Sequence, residues 1–270
     1  ETVRNMKNAA ALLEEYSMKR IISFFLCVLM TAALLAGCGD RKHRNTWIIA
    51  VDGDFSPFVC ADANGKAVGL DVELLDAIAR DQNFRYELRP SDWDTAMSVF
   101  TSHQAQVLMG SIASSQERID GGWFFSHSFY NGVTQSMAME PSSDTNTLED
   151  LAGKAVAVVS GTLGAAYAES VKDKYGFSIA TFSDSHSMYA AVLEGRAAAC
   201  FEDTPALRDS IAGGVALELV PGSEGAASDY CVAICDEKDR PFLELFNQGL
   251  ANIRANGIYD AILAKYADTL

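Results

Sequence analysis

The residues of this chain with the most to offer chemically sit in short polar turns between apolar runs. Arg118 closes the turn Gly110-Ser111-Ile112-Ala113-Ser114-Ser115-Gln116-Glu117. Its guanidinium is planar and always charged, and it fits a carboxylate through two parallel N–H···O bonds. Ser111 can add a backbone group or a hydroxyl beside it. Ser160-Gly161-Thr162 lacks the lysine and the glycine spacing of a phosphate loop. It reads instead as exposed backbone N–H groups at a helix start, a place suited to an anion such as a carboxylate, with the Thr162 hydroxyl at hand. Asp203, in Glu202-Asp203-Thr204-Pro205, suits the N-cap of a helix, and a carboxylate has acceptor sites for further partners. No Cys-x-x-Cys spacing occurs, and His43, His103, His127 and His186 form no paired ligand motif, so neither a metal nor a cofactor is expected.

These turns need strands and helices to hold them. From Thr46 the chain alternates the two: a strand over 47–51, apolar residues at helical spacing from Val72 to Ala79, a strand over 85–88, a helix over 92–101 opened by Ser91, and a short strand over 106–109. The order then recurs, with strands over 154–159, 179–182 and 197–201 separated by helices over 162–174 and 187–193. A polar loop over 140–146 divides the halves. The pattern predicts two similar α/β lobes. Phe242, Leu245, Phe246, Gly249, Leu250 and Ile253 add an amphipathic helix after Pro241, followed by a second helix to about Tyr266.

Several phrases, in order, resemble the family 3 extracellular solute-binding proteins, which deliver polar amino acids to ABC importers. They are Asp52-Gly53-Asp54-Phe55-Ser56-Pro57-Phe58, the stretch 65–73, Trp93-Asp94, the Gly110 to Arg118 turn with Phe124-Phe125-Ser126-His127-Ser128-Phe129-Tyr130, Leu151-Ala152-Gly153-Lys154, Ser160-Gly161-Thr162 and Leu193-Glu194-Gly195-Arg196. The resemblance spans about 46–268. It implies a two-lobed periplasmic binding protein-like fold (type II), each lobe a sheet flanked by helices. It makes Arg118 the anchor for a ligand α-carboxylate and Asp203 the holder of the α-ammonium, since each charge leaving water needs its own partner. It places Phe55 and Trp93 over the ligand, where aromatic faces hold aliphatic or cationic stems. Ala113 stands where the family commonly has Ser or Thr, so one hydroxyl contact is absent. Gln106, Ala198 and Ser128 also depart from family phrases, and Val159 and Leu163 make their side of the second lobe apolar. Asp52, Asp54, Asp71 and Glu202 could form an acidic pocket, which leans the expected ligand toward a cationic amino acid. The alternative is an enzyme on the same fold resembling cyclohexadienyl or arogenate dehydratases, with Glu202 or Glu117 as general acid.

The composition fits an exported module. The 270 residues carry 21 Lys+Arg against 36 Asp+Glu, a net charge of -15, which argues against nucleic acid because that binding rests on Lys and Arg at phosphates. An uncharged run over 21–37 follows Lys19-Arg20 and ends Leu35-Ala36-Gly37-Cys38, the form of a signal peptide; its end resembles the lipobox of bacterial lipoproteins. Cys38 is therefore expected to carry lipid and tether the protein outside the cytoplasm. The expected organisation is an N-terminal extension from a mis-called start over 1–17, a lipoprotein signal peptide over 18–37, a first lobe of 46–131 plus 231–270, and a second lobe of 134–227. Cys231 and Cys235 would lie ~13 Å apart in a strand, too far to bridge, and Cys60, Cys200, Cys231 and Cys235 read as buried free thiols. The expected partners are a free amino acid, an ABC transporter permease and the membrane through Cys38, with the protein itself a monomer.

Overall fold

The computed structural model describes residues 46–270; the expectations for 1–17, 18–37 and Cys38 lie outside the described residues. The chain opens with β1 (Thr46–Asp52), a small antiparallel sheet of β2 (Asp54–Phe55), β3 (Val59–Ala61) and β4 (Ala67–Val68), then α1 (Leu70–Gln82), β5 (Arg85–Ser91), α2 (Trp93–Thr101), β6 (Val107–Ala113), α3 (Gln116–Asp120) and β7 (Phe124–Phe125). After β8 (Tyr130–Val133), β9 (Gln135–Met139) begins a second sheet, continued by β10 (Ala155–Val159), α4 (Leu163–Tyr175), β11 (Ser178–Phe182), α5 (Ser185–Leu193), β12 (Ala199–Asp203), α6 (Thr204–Ala212) and β13 (Glu218–Leu219). β14 (Ser228–Ile234) returns to the first sheet, and α7 (Arg240–Ala255) and α8 (Ile258–Leu263) follow.

The two sheets have one topology. In the first, β5, β1 and β6 run parallel, with β14 antiparallel beside β6. In the second, β11, β10 and β12 run parallel, with β9 antiparallel beside β12. Each lobe therefore has its first parallel strand, β1 or β10, flanked by the next two parallel strands. Right-handed β-α-β connections then put helices on both faces, and the crevice beyond the C-terminal ends of the strands is where such sheets bind ligands. The chain crosses between sheets at β8–β9 and again before β14.

Core packing follows the expected periodicity. Phe242, Phe246, Leu250 and Ile253 of α7 are buried with Leu74, Leu75 and Ile78 of α1. Gly249 lets these helices approach so closely that a Cβ there would sit 2.8 Å from Ile78 Cγ2. In the second lobe Val156, Val158, Ala168 and Phe201 form the centre of another cluster.

Several boundaries differ from the sequence reading. Helix α2 is capped by Asp92, whose Oδ1 accepts from the Thr95 N–H at 2.9 Å, and not by Ser91, which ends β5. Helix α5 starts two residues early because Asp184 caps it through the Ser187 N–H. Cys200 and Cys231 are buried free thiols as expected, but Cys60 and Cys235 are only half-buried. Among the described residues no helix is long and apolar enough to cross a membrane.

The tightest approach bearing on the cleft is at Gly164 in the first turn of α4, where an added Cβ would lie 2.5 Å from the backbone oxygen of Phe201. Backbone cannot swing away as a side-chain tip can. Gly164→Ala should therefore destabilise the protein by about 1–3 kcal/mol in urea unfolding, and an unchanged midpoint would show that α4 is not fixed against β12.

Candidate functional site

The chemistry expected from the turns gathers at the C-terminal ends of the parallel strands. Asp52 ends β1, and the Asp92 cap that follows β5 leads directly into Trp93. Val159 ends β10, Ser185 opens the helix after β11, and Glu202-Asp203 end β12. Arg118 sits on the one-turn helix α3, started by Ser115 Oγ, which accepts from the Arg118 N–H at 3.2 Å. Together Asp52, Phe55, Trp93, Gly110, Ile112, Arg118, Val159, Thr162, Leu163, Ser185, Glu202 and Asp203 line one cavity.

Two hydrogen bonds join the lobes across this cavity. Trp93 Nε1 donates to the Ser160 carbonyl at 3.0 Å. Arg118 Nη2 donates to the Gly161 carbonyl at 3.0 Å, while its Nη1 donates to the Ala113 carbonyl at 2.6 Å within its own lobe. Gly161 reaches this position with φ 72°, in the region that favours glycine. The indole of Trp123 lies under the guanidinium, 5.5 Å from ring centre to Cζ. With the lobes so joined the cavity volume is about 30 Å³, room for a few waters at about 10–15 Å³ each. A ligand the size of an amino acid is larger than this space, so its entry requires the cavity to open.

The electrostatics are one-sided. Asp203 is buried, with Oδ1 accepting from Gln135 Nε2 at 2.9 Å and Oδ2 from the Tyr230 hydroxyl. Glu202 accepts from the Ser185 hydroxyl at 2.8 Å and from the Asp203 N–H at 2.9 Å. Burial pushes both carboxyls up from their ordinary values; for Glu202 the adjacent Asp203 pushes further, and for Asp203 the Tyr230 and Gln135 bonds pull back. Asp52 is raised to about 6, chiefly by burial, against the Asp54 N–H that its Oδ1 accepts. Burial lowers Arg118, opposed by the charge of Glu117, because a desolvated guanidinium loses part of its preference for the charged form.

The sequence reading placed Asp52, Phe55, Trp93, Arg118, Thr162, Leu163, Glu202 and Asp203 in a site, and all line this cavity. Ser111 and Ala113 lie at the end of β6, Ala113 offering its carbonyl to Arg118; the Ser111 side chain lies outside the described ones. Three details differ. The Ser160 N–H donates to the Phe182 carbonyl, and the Ser160 and Gly161 carbonyls accept from Trp93 and Arg118. The Thr162 hydroxyl caps α4, donating to the Val159 carbonyl and accepting from Ala165. Asp203 holds the N-cap position of α6 without a capping bond, its carboxylate turned to Gln135 and Tyr230. Asp54 and Asp71 stand outside the lining. Ser185, Gln135 and Tyr230 carried no local signal, because each is brought in by a distant element.

Residues 47–269 match the family model of bacterial extracellular solute-binding proteins, family 3. Among similar proteins, the L-cystine-binding protein TcyJ of Escherichia coli (strain K12) is 24% identical over 249 residues, covering 88% of this chain and 92% of that protein. The lysine/arginine/ornithine-binding periplasmic protein of the same strain is 25% identical over 236 residues, covering 82% and 86%. In three dimensions, a mutant of ArgBP from T. maritima superposes with TM-score 0.73 at 27% identity over 83% of this chain and 96% of its own.

Three carboxyls that hold protons to higher pH when folded than when unfolded tie stability to pH. Their contribution is complete below about pH 4, near the ordinary carboxylate values, and is lost as pH rises through the folded values, from about 6 for Asp52 upward. The melting temperature should fall from about pH 5 to about pH 8, and Glu202→Gln, which cannot ionise, should flatten the fall. A midpoint that rises over this window, or an equal fall in the variant, contradicts the assignment.

Proposed function

The chain belongs to the bacterial extracellular solute-binding proteins of family 3, and from that premise we propose that it captures a free amino acid between its lobes and hands it to an ABC importer. Arg118 takes the α-carboxylate, exchanging its bonds to the Ala113 and Gly161 carbonyls for two charge-assisted ones. Asp203 takes the α-ammonium on acceptor sites left by Gln135 and Tyr230. Phe55 and Trp93 cover the ligand, with Ser111 and Ala113 beside the carboxylate, and Leu163 against its stem; Ser160 and Thr162 shape the turn behind it. The observation that carries this reading is the presence of opposite charges in one cavity: a half-buried guanidinium whose hydrogen bonds go to carbonyl oxygens, lining the same space as a buried carboxyl. A zwitterion satisfies both at once.

Closure then follows from binding. A ligand that touches Arg118 of one lobe and Asp203 of the other has more partners when the lobes meet than when they part, and that difference shifts the equilibrium. The name of the lysine/arginine/ornithine-binding relative and the acidic lining support a cationic ligand. The lobes are taken as 46–131 plus 231–270 and 134–227, in a monomer. The protein acts by binding and not by turnover: Glu117 lies outside the cavity lining, and Glu202 is committed to Ser185 and the Asp203 N–H, so nothing favours the dehydratase alternative. The lipobox-like ending at Cys38 supports tethering to the outer face of the cytoplasmic membrane or beyond it by an N-terminal lipid.

Titration calorimetry against a panel of free L-amino acids should give at least one dissociation constant of about 1 μM or tighter. Arg118→Ala should weaken it by about 100-fold or more, as loss of a charge-assisted pair implies. Heat from none of the panel would end the amino-acid reading. For the anchor, Cys38→Ala should move the protein from the membrane to the soluble fraction; unchanged partitioning would reject lipidation at that residue.

A further inference from the structure

Beyond Arg118 the chain folds back on itself. Helix α3 is followed by Gly121 and Gly122, whose N–H groups donate to the Glu117 carbonyl at 2.9 Å and the Ile119 carbonyl at 3.0 Å. Gly122 reverses the backbone with φ 87°, in the region that favours glycine. The Trp123 N–H then donates to the Arg118 carbonyl at 3.0 Å. This turn sets the half-buried indole against the guanidinium five residues before it, with Cζ 5.5 Å from the ring centre. The ring is itself held by the fully buried Phe100 of α2, edge to face at 4.9 Å, and by Phe125 of β7 at 6.3 Å.

We propose that Trp123 is a positioning residue, whose ring holds the Arg118 guanidinium in its binding orientation while the lobes are apart. The proposal rests on the amino-acid reading of the site. Three contacts orient the guanidinium: the Ala113 carbonyl, the Gly161 carbonyl and the indole. The Gly161 carbonyl stands on the second lobe, so in the proposed cycle it recedes as the lobes part. The Ala113 carbonyl and the indole then remain as the contacts from Arg118's own lobe. A single hydrogen bond leaves a long side chain free to rotate about it, and arginine is among the side chains richest in rotamers. Freezing that freedom at the moment of binding weakens affinity, whereas a ring that has already frozen it does not.

The chemistry of the contact suits this task. Among the described residues no carboxylate forms an ion pair with Arg118. A carboxylate in the place of Trp123 would hold the guanidinium more firmly, but it would occupy the N–H fork and cancel the charge that a ligand carboxylate needs. The face of an aromatic ring attracts the cation through its quadrupole, takes no N–H donor and leaves the charge in place. Indole has the strongest such face, and the attraction grows where water is excluded. Because Trp123 packs on Phe100 at the core of its lobe, the guanidinium is referenced to the rigid part of the fold and not to α3 alone, a helix of a single turn.

The test is a double-mutant cycle read by titration calorimetry, with L-arginine, L-histidine, L-cystine and L-glutamine as probes and the tightest binder carried through. Trp123→Leu should weaken its binding by about five- to thirtyfold, and Trp123→Phe, which keeps a ring face, by less than about threefold. Added to Arg118→Ala, Trp123→Leu should change affinity by less than about twofold, since the ring acts through the guanidinium. A packing role alone would lower affinity equally in both backgrounds. Should Trp123→Leu fail to fold, a tetrafluorinated tryptophan placed at position 123 by codon suppression keeps the ring's shape and removes its quadrupole, and it should weaken binding by about threefold or more. Equal losses in the two backgrounds, no advantage of Phe over Leu, or unchanged affinity with the fluorinated ring overturns this proposal alone. Failure of all four probes and of the wider amino-acid panel to bind the native protein overturns it together with the reading it rests on.

Discussion

The organisation of this protein turns on one desolvated cation. Arg118 is half-buried between lobes, and its hydrogen bonds go to the carbonyls of Ala113 and Gly161. Carbonyl dipoles satisfy a guanidinium geometrically but supply no neutralising charge, and burial accordingly lowers its hold on the proton. A carboxylate offers the same fork more than the carbonyls do. In the proposed function these carbonyls hold the place of the ligand carboxylate, and the Gly161 carbonyl belongs to the opposite lobe.

Around that cation the fold supplies rigidity where the chain crosses over. Thr134, between β8 and β9, bonds through both its carbonyl and its hydroxyl to Thr204, and Ser136 shares the same hydroxyl. Tyr230, on the returning strand β14, bonds Asp203 at the end of β12. The carboxyl that faces Arg118 is therefore held by residues from both crossing segments, so its position is tied to the strands about which the lobes would rotate. Buried polar networks of this kind fix one arrangement only when every member is satisfied, and here each carboxyl oxygen of Asp203 has a partner.

The acidity of the chain acquires two meanings in the folded state. Most carboxylates of the described residues are solvated, some serving as helix caps such as Asp92 and Asp184. Asp52, Glu202 and Asp203 are different: burial raises each of them, and they outnumber the one cation, Arg118, in the cavity lining.

The order of elements, the two similar halves and the turns that carry Asp52, Phe55, Trp93, Arg118 and Asp203 are legible in the sequence, because periodicity and turn chemistry are local properties. The sequence also suggested Asp203 as a helix cap and Ser160-Gly161 as a source of N–H groups, both sound for the local sequence. Tertiary structure decided otherwise. Gln135 and Tyr230, from other strands, turn the Asp203 carboxylate away from its helix, and Phe182 takes the Ser160 N–H, while the carbonyls of Ser160 and Gly161 meet Trp93 and Arg118. The same holds for Ser91 and Asp92, adjacent residues that composition cannot rank as caps, and for Ser185, which reaches Glu202 from seventeen positions away. A side chain's type and spacing are written in the chain, but the partner it chooses depends on which distant groups the packed sheets bring within hydrogen-bond reach.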